Sequence, residues 1–111
     1  MNGEPDFELY TVSLIRLNTA FEKLETDEKE ALEMIKKSSD DFEELYKDIL
    51  NDLEKDEILI ADYYSFFENG KTVFPMYIEA LAELDVNDEN VDSLINTFTN
   101  LNKIAQAFDR N

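Results

Sequence analysis

From Phe7 onward, apolar residues recur at alternating intervals of three and four: Tyr10, Leu14, Leu17, Phe21, Leu24, Ala31, Ile35, Phe42, Leu45 and Ile49. Only Glu28 and Ser38 are polar among the 13 positions of this seam. The period is that of a helix, and its heptad form predicts coiled-coil-like packing. Unbroken, the seam would make a helix of about 44 residues and roughly 66 Å, well beyond an ordinary globular helix. The two polar positions fall in Glu25-Thr26-Asp27-Glu28 and Ser38-Ser39-Asp40-Asp41, and either cluster can cap a new helix. A continuous N-terminal rod with a local bend and a helix–turn–helix therefore both fit the pattern.

After Lys55 the apolar face continues through Ile58, Leu59, Ala61, Tyr63, Phe66 and Phe67 and meets Glu68-Asn69-Gly70-Lys71. Asn-Gly at the end of an apolar face predicts a helix C-cap, with Gly70 in the left-handed conformation. Thr72 is then the cap of the next helix, and Pro75 falls in its first turn, where a missing N–H is harmless. The expected helices are 57–68, 72–84 and, after the polar connector Asp85–Asn90, 91–108 with Leu94, Phe98, Leu101, Ala105 and Phe108 on one stripe. Only two glycines and two prolines are present, too few for the turns of an all-β fold. The pattern thus predicts an all-α fold: an elongated antiparallel helical bundle or helical hairpin of three to four helices. A long coiled-coil-like N-terminal helix would be its spine, in a single domain over residues 1–111.

Composition supports a folded chain and narrows its chemistry. At 111 residues and 43% hydrophobic content, with eight Phe and five Tyr, there is enough apolar material for one core. The chain has no Cys and no His, which excludes a disulfide framework, a thiol nucleophile, an imidazole base and an ordinary zinc site. Asp85-x-Asn87-x-Glu89 resembles the opening of a calcium loop, but Asn90 stands where the sharp turn needs Gly and Asn96 where the bidentate Glu belongs. The two glycines are too far apart for a phosphate loop. Glu28, as the acid on the main seam, and Asp62, between Ala61 and Tyr63, are the carboxylates to inspect for a shifted pKa, although a helix break and an outward face explain them as well. No enzyme activity, cofactor or metal is expected.

Charge then says what the partner is not. Twenty-seven acids against ten bases leave a net −17, which repels nucleic acid and anionic lipid, and Lys36-Lys37 is the sole adjacent basic pair. Neither direct nucleic-acid binding nor membrane binding is expected. Glu4, Asp6 and Glu8 occupy the place where a secretory signal carries positive charge, so a cytoplasmic location is expected.

Two constellations remain as candidate partner surfaces. The first is the acidic face Glu22, Glu25, Glu33, Asp40, Asp41, Glu43, Glu44, Asp48 and Asp52. On a continuous helix the acids between Glu22 and Glu57 would recur about every 3.5 Å, half the charge density of duplex DNA, before the interleaved lysines are subtracted. Spacings such as Glu25–Lys29, Glu33–Lys37 and Glu43–Lys47 also suit i,i+4 pairs on a solvated helix. The second is the aromatic cluster Tyr63, Tyr64, Phe66 and Phe67, which cannot all share one helical face. Residues 9–21 stand apart: they hold Arg16 and no acid, with Thr11, Ser13, Asn18 and Thr19 off the seam, and so form a candidate contact stretch.

The chain resembles, in size, acidity and lack of His and Cys, phage-encoded helical inhibitors that occupy nucleic-acid-binding surfaces, as well as helical-hairpin secretion substrates and immunity proteins. No specific motif carries that likeness, and Phe67-Glu68-Asn69-Gly70 stands where the secretion family has a Trp-x-Gly turn. The expected function is a non-enzymatic acidic interaction protein that binds and inhibits a basic partner such as a nucleic-acid-binding protein, in the manner of a DNA mimic. The alternative is a structural module that self-associates, or acts as an assembly, secretion or immunity adaptor, through its seam and aromatic cluster. A seam too long for the other helices to cover would make the chain a homodimer.

Overall fold

A computed structural model describes residues 5–55 and 60–108, with Ile60 and Ala61 described in their backbone only. These residues form four helices: α1 (Phe7–Lys23), α2 (Glu28–Lys55), α3 (Ile60–Ala82) and α4 (Glu89–Phe108). The expected start of a helix at residues 57–59 lies outside the described residues. The all-helical class stands; the single N-terminal spine does not form.

The seam breaks at the first polar cluster. Asp27 N–H closes on Lys23 O at 2.7 Å, and Asp27 then caps α2 by accepting from Glu30 N–H at 3.2 Å. Asp6 and Asp88 play the same part for α1 and α4, accepting from Leu9 N–H at 3.0 Å and Asn90 N–H at 2.8 Å. The second polar cluster does not break the chain. Ser38 and Ser39 are buried where α2 crosses α1, and Ser38 Oγ donates to Ser13 O at 3.1 Å. Small side chains there let two backbones approach, so a polar seam position serves packing rather than capping.

Gly70 is no C-cap either, for α3 runs through both Gly70 and Pro75. The absent side chain is instead a packing requirement. A Cβ on Gly70 would meet the ring of Phe74, with Cδ2 and Cζ both at 2.9 Å. The helix therefore tolerates Gly in its interior because the buried Phe74 ring lies on it, and tolerates Pro75 at an exposed position.

Backbones pack closely between α1 and α2, α2 and α4, and α3 and α4. The partner pairs give the directions. Arg16–Asp41 and Lys23–Glu30 join α1 and α2 antiparallel, and the Tyr63–Phe108 and Phe74–Phe98 ring pairs do so for α3 and α4. Between α1 and α3, Phe7 meets Phe66, Tyr10 bonds Asn69, and Tyr77 bonds Asn18. All three pairs have a sequence offset of 59, which makes these two helices parallel.

One core fills the bundle, built on Leu17, Ile35, Phe42, Leu45, Ile49, Tyr63, Phe66, Phe67, Phe74, Leu94, Phe98 and Leu101. Ala31, Ile35, Phe42, Leu45 and Ile49 of the seam are buried within one chain, while Phe7 is exposed and Leu14, Phe21 and Leu24 are half-buried. The bundle measures 44 × 23 × 19 Å, and no helix among the described residues is long and apolar enough to cross a membrane.

Candidate interaction surfaces

The acids proposed as one face do not form one. Glu33, Asp40, Glu43 and Glu44 are exposed on α2, and Asp48 is half-buried. Glu22 is exposed on α1 and Glu25 in the turn at 24–27, so the continuous acidic rod over residues 22–57 is interrupted there. Two of the nine turn inward. Asp41 takes Arg16 Nη1 at 2.6 Å and Ser13 Oγ at 3.1 Å, fastening α1 to α2. Asp52 is 7% exposed and accepts from Tyr63 OH at 2.7 Å. That arrangement pushes the Tyr63 hydroxyl pKa upward, chiefly by burial and then by the hydrogen bond to Asp52 and the charges of Asp52 and Asp48. Asp52 is one step of the seam beyond Ile49, a signal that could have placed it inside.

The lysines on α2 lie among these acids, and Lys36 meets Asp40 at 3.7 Å while Lys23 reaches Glu30 at 3.6 Å. Such exposed pairs are worth little in stability.

The aromatic cluster is mostly core. Tyr63, Phe66 and Phe67 are at most 1% exposed, held in ring contacts with Phe74, Phe108 and one another. They contribute almost no exposed surface of their own. Tyr64, on the opposite side of α3, is 50% exposed.

The acid-free stretch 9–21 leads to an open surface. Arg16 is drawn to Asp41, Ser13 is buried against α2, and Thr19 donates back to Ile15 O. Thr11, Leu14, Ile15 and Asn18 are left to wall a groove of about 380 Å³ between α1 and α3. Its opposite wall is Asn69, Val73, Met76 and Tyr77, and Tyr10 and Phe66 also line it. No charged residue lines it, in a chain of net −17.

The groove exists because α1 and α3 are held apart by large rings rather than joined backbone to backbone. Two reciprocal rungs set the spacing: Tyr10 OH donates to Asn69 Oδ1 and Tyr77 OH to Asn18 Oδ1, both at 2.5 Å. Burial raises the pKa of both hydroxyls; for Tyr10 the charge of Tyr77 adds to it, while for Tyr77 the Asn18 hydrogen bond works the other way. The α3 wall escaped sequence reasoning because that helix was divided at Gly70. Read through the glycine, Phe66, Asn69, Val73 and Met76 follow the helical spacing that would have revealed it.

A second cleft, of about 410 Å³, lies at the end of the bundle where the turns 24–27 and 83–88 meet. Phe21, Leu24, Leu84 and Val86 give it apolar walls, and Glu25, Glu28, Glu83 and Asp85 add four carboxylates. Glu28, the acid of the seam, is thus an exposed first-turn residue of α2. Asp62 is half-buried in the first turn of α3. Among the described residues no group of acids is arranged to hold a metal ion, and no buried side-chain polar atom lacks a hydrogen-bond partner. In comparisons with protein families, curated proteins and solved structures, the chain matches none.

Proposed function

We propose that this chain is a non-enzymatic acidic interaction protein that binds a basic partner, such as a nucleic-acid-binding protein, and blocks the surface it covers. The observation that carries this reading is the cleft where Glu25, Glu28, Glu83 and Asp85 gather over an apolar lining. Unlike Asp41 and Asp52, these carboxylates hold no helix to another. Two unit charges 4 Å apart attract by about 1 kcal/mol in water, and the field reaches about 8 Å at physiological salt, so the cleft steers a cationic surface as well as contacting it.

The same reading accounts for the surface acids of α2, and it assigns no catalysis to a chain that has no His or Cys to serve as base or nucleophile. Inhibition follows from occlusion: a groove that binds phosphates cannot hold them while carboxylates fill it. The test is capture of proteins from the native host on the immobilised chain, eluted by a salt gradient. The expected result is a basic partner retained at low salt and released as salt rises, with retention lost when Glu25, Glu83 and Asp85 are changed to Lys. A partner retained equally by that variant and at high salt would overturn the reading.

A further inference from the structure

Exposed ion pairs contribute little each, so four carboxylates alone support an affinity no tighter than about millimolar. A stable complex needs apolar burial beside them, and the groove between α1 and α3 offers it. Ile15 is 60% exposed, Met76 54% and Phe7 41%, three large apolar side chains at one open surface.

The groove and the acidic cleft are neighbours. Tyr77 lines the first, Phe21 lines the second, and their rings stack at 6.1 Å with an interplanar angle of 20°. Because α1 and α3 are parallel, their C-terminal ends both arrive at the acidic cleft, where the carboxylates supply the negative potential. The surface is therefore graded along its length, from uncharged and apolar to strongly negative. From Phe7 to Asn18 the groove spans roughly 16 Å, three turns of helix, and from Phe7 to Glu25 the track spans roughly 27 Å.

The geometry points to a bipartite docking track: the α1–α3 groove receives the apolar face of an amphipathic helix from the basic partner, and the acidic cleft receives the lysines or arginines at one end of that helix. This deepens the function proposed above and rests on it. Charge complementarity selects this occupant. A second copy would bring another net −17 against the same carboxylates, and an uncharged small molecule would leave the cleft unused. An amphipathic helix with apolar anchors at i, i+4 and i+7 fills such a groove.

The probe is a synthetic helix of about 18 residues with leucine on one face and lysine on the other, long enough for the whole track. It is titrated into the full isotope-labelled chain by calorimetry and NMR. The expected result is binding with shifts concentrated on α1, α3 and the 83–88 turn. Ile15→Glu and Met76→Glu should each weaken it by more than about tenfold, as buried anchors do. Leu50→Glu adds the same charge at an exposed site on α2 and should leave binding within about twofold, since rim changes contribute little. The combination Glu25→Gln, Glu83→Gln and Asp85→Asn should weaken binding severalfold at low salt and have no effect at high salt.

Ile15→Ser, which adds no charge, should repeat the loss in part, so that misfolding of a glutamate variant cannot carry the result. Equal losses from Ile15→Glu and Leu50→Glu, with salt dependence retained, would overturn the track and leave the acidic function standing. Groove dependence without salt dependence would overturn the acidic function instead. Equal binding of a leucine–glutamate helix would remove the charge argument, and a dimer of the free chain that Ile15→Glu dissolves would assign the groove to a second copy.

Discussion

Replacing Gly70 by Ala puts two quantified effects in opposition. In the interior of α3, Ala is favoured over Gly by about 1 kcal/mol from propensity alone. The new Cβ, however, would stand 2.9 Å from both Cδ2 and Cζ of Phe74 and closer still to Cε2, where carbon atoms prefer about 3.5–4.0 Å. The ring has nowhere to retreat: it is 0% exposed and packed against Tyr10, Phe66 and Phe98. Overpacking of this kind costs about 1–3 kcal/mol, and a clash of this depth belongs in the upper half of that range. The expected net loss is about 1–2 kcal/mol, or about 5–10 °C in Tm for a chain of this size. Circular dichroism melts and urea titrations measure it, with Thr72→Ala at an exposed position of the same helix as the propensity control, expected to stabilise by a few tenths of a kcal/mol. A left-handed C-cap at Gly70 would also make Ala costly, so the double variant with Phe74→Leu decides between the two causes. Removing the ring edge should recover at least about 0.5 kcal/mol relative to the sum of the single changes. A Tm raised by Gly70→Ala, or additivity in the double variant, would refute the packing account.

Tyr63→Phe removes the donor from the buried Asp52 carboxylate and should cost about 1–3 kcal/mol in urea denaturation, with Asp52→Leu added to it recovering part of the loss. Burial raises the pKa of Tyr10, Tyr63 and Tyr77 above their ordinary value of 10.0. The unfolded chain therefore releases these protons first, and stability present below pH 10 should fall as the pH rises above it, read as a urea midpoint that drops between about pH 10 and 12. A flat midpoint there would mean the hydroxyls are not held neutral by the fold. At neutral pH the net −17 opposes compaction, so Tm should rise on acidification from about pH 7.5 to 5.5 and on adding salt at pH 7.5; a fall in either series would show that ion pairs such as Arg16–Asp41 outweigh repulsion.

Much of the helical content was legible because the seam residues Leu17, Ile35, Phe42, Leu45 and Ile49 all point into the core. What the pattern could not resolve was the use of each polar seam position. Asp27 beside Glu28 ends one helix and starts another, whereas Ser38 lets two helices touch, and the two clusters look alike in composition. Gly70 failed for a similar reason: Asn-Gly is a strong stop signal, yet a glycine is equally required where a buried ring lies on a helix. The acidic cleft joins residues 55 or more apart, and the groove joins residues offset by 59 in sequence, so neither could be read from spacing within one element. The acid-free run of α1 did mark one wall. Four successive aromatics around Ser65 could not share a face, and Tyr64 is the one left outside.

The most direct measurement of the central claim is the association rate constant between this chain and the basic partner it captures, followed by stopped flow as ionic strength is raised. Steered encounter gains about tenfold or more from opposed fields and loses it as the Debye length shrinks from about 30 Å at 0.01 M to about 8 Å at 0.15 M. The rate constant should fall by at least that factor across this range, with a flatter slope for the chain carrying Glu25→Gln, Glu83→Gln and Asp85→Asn. A rate constant indifferent to ionic strength, the same for both chains, would contradict recognition through the acidic surface.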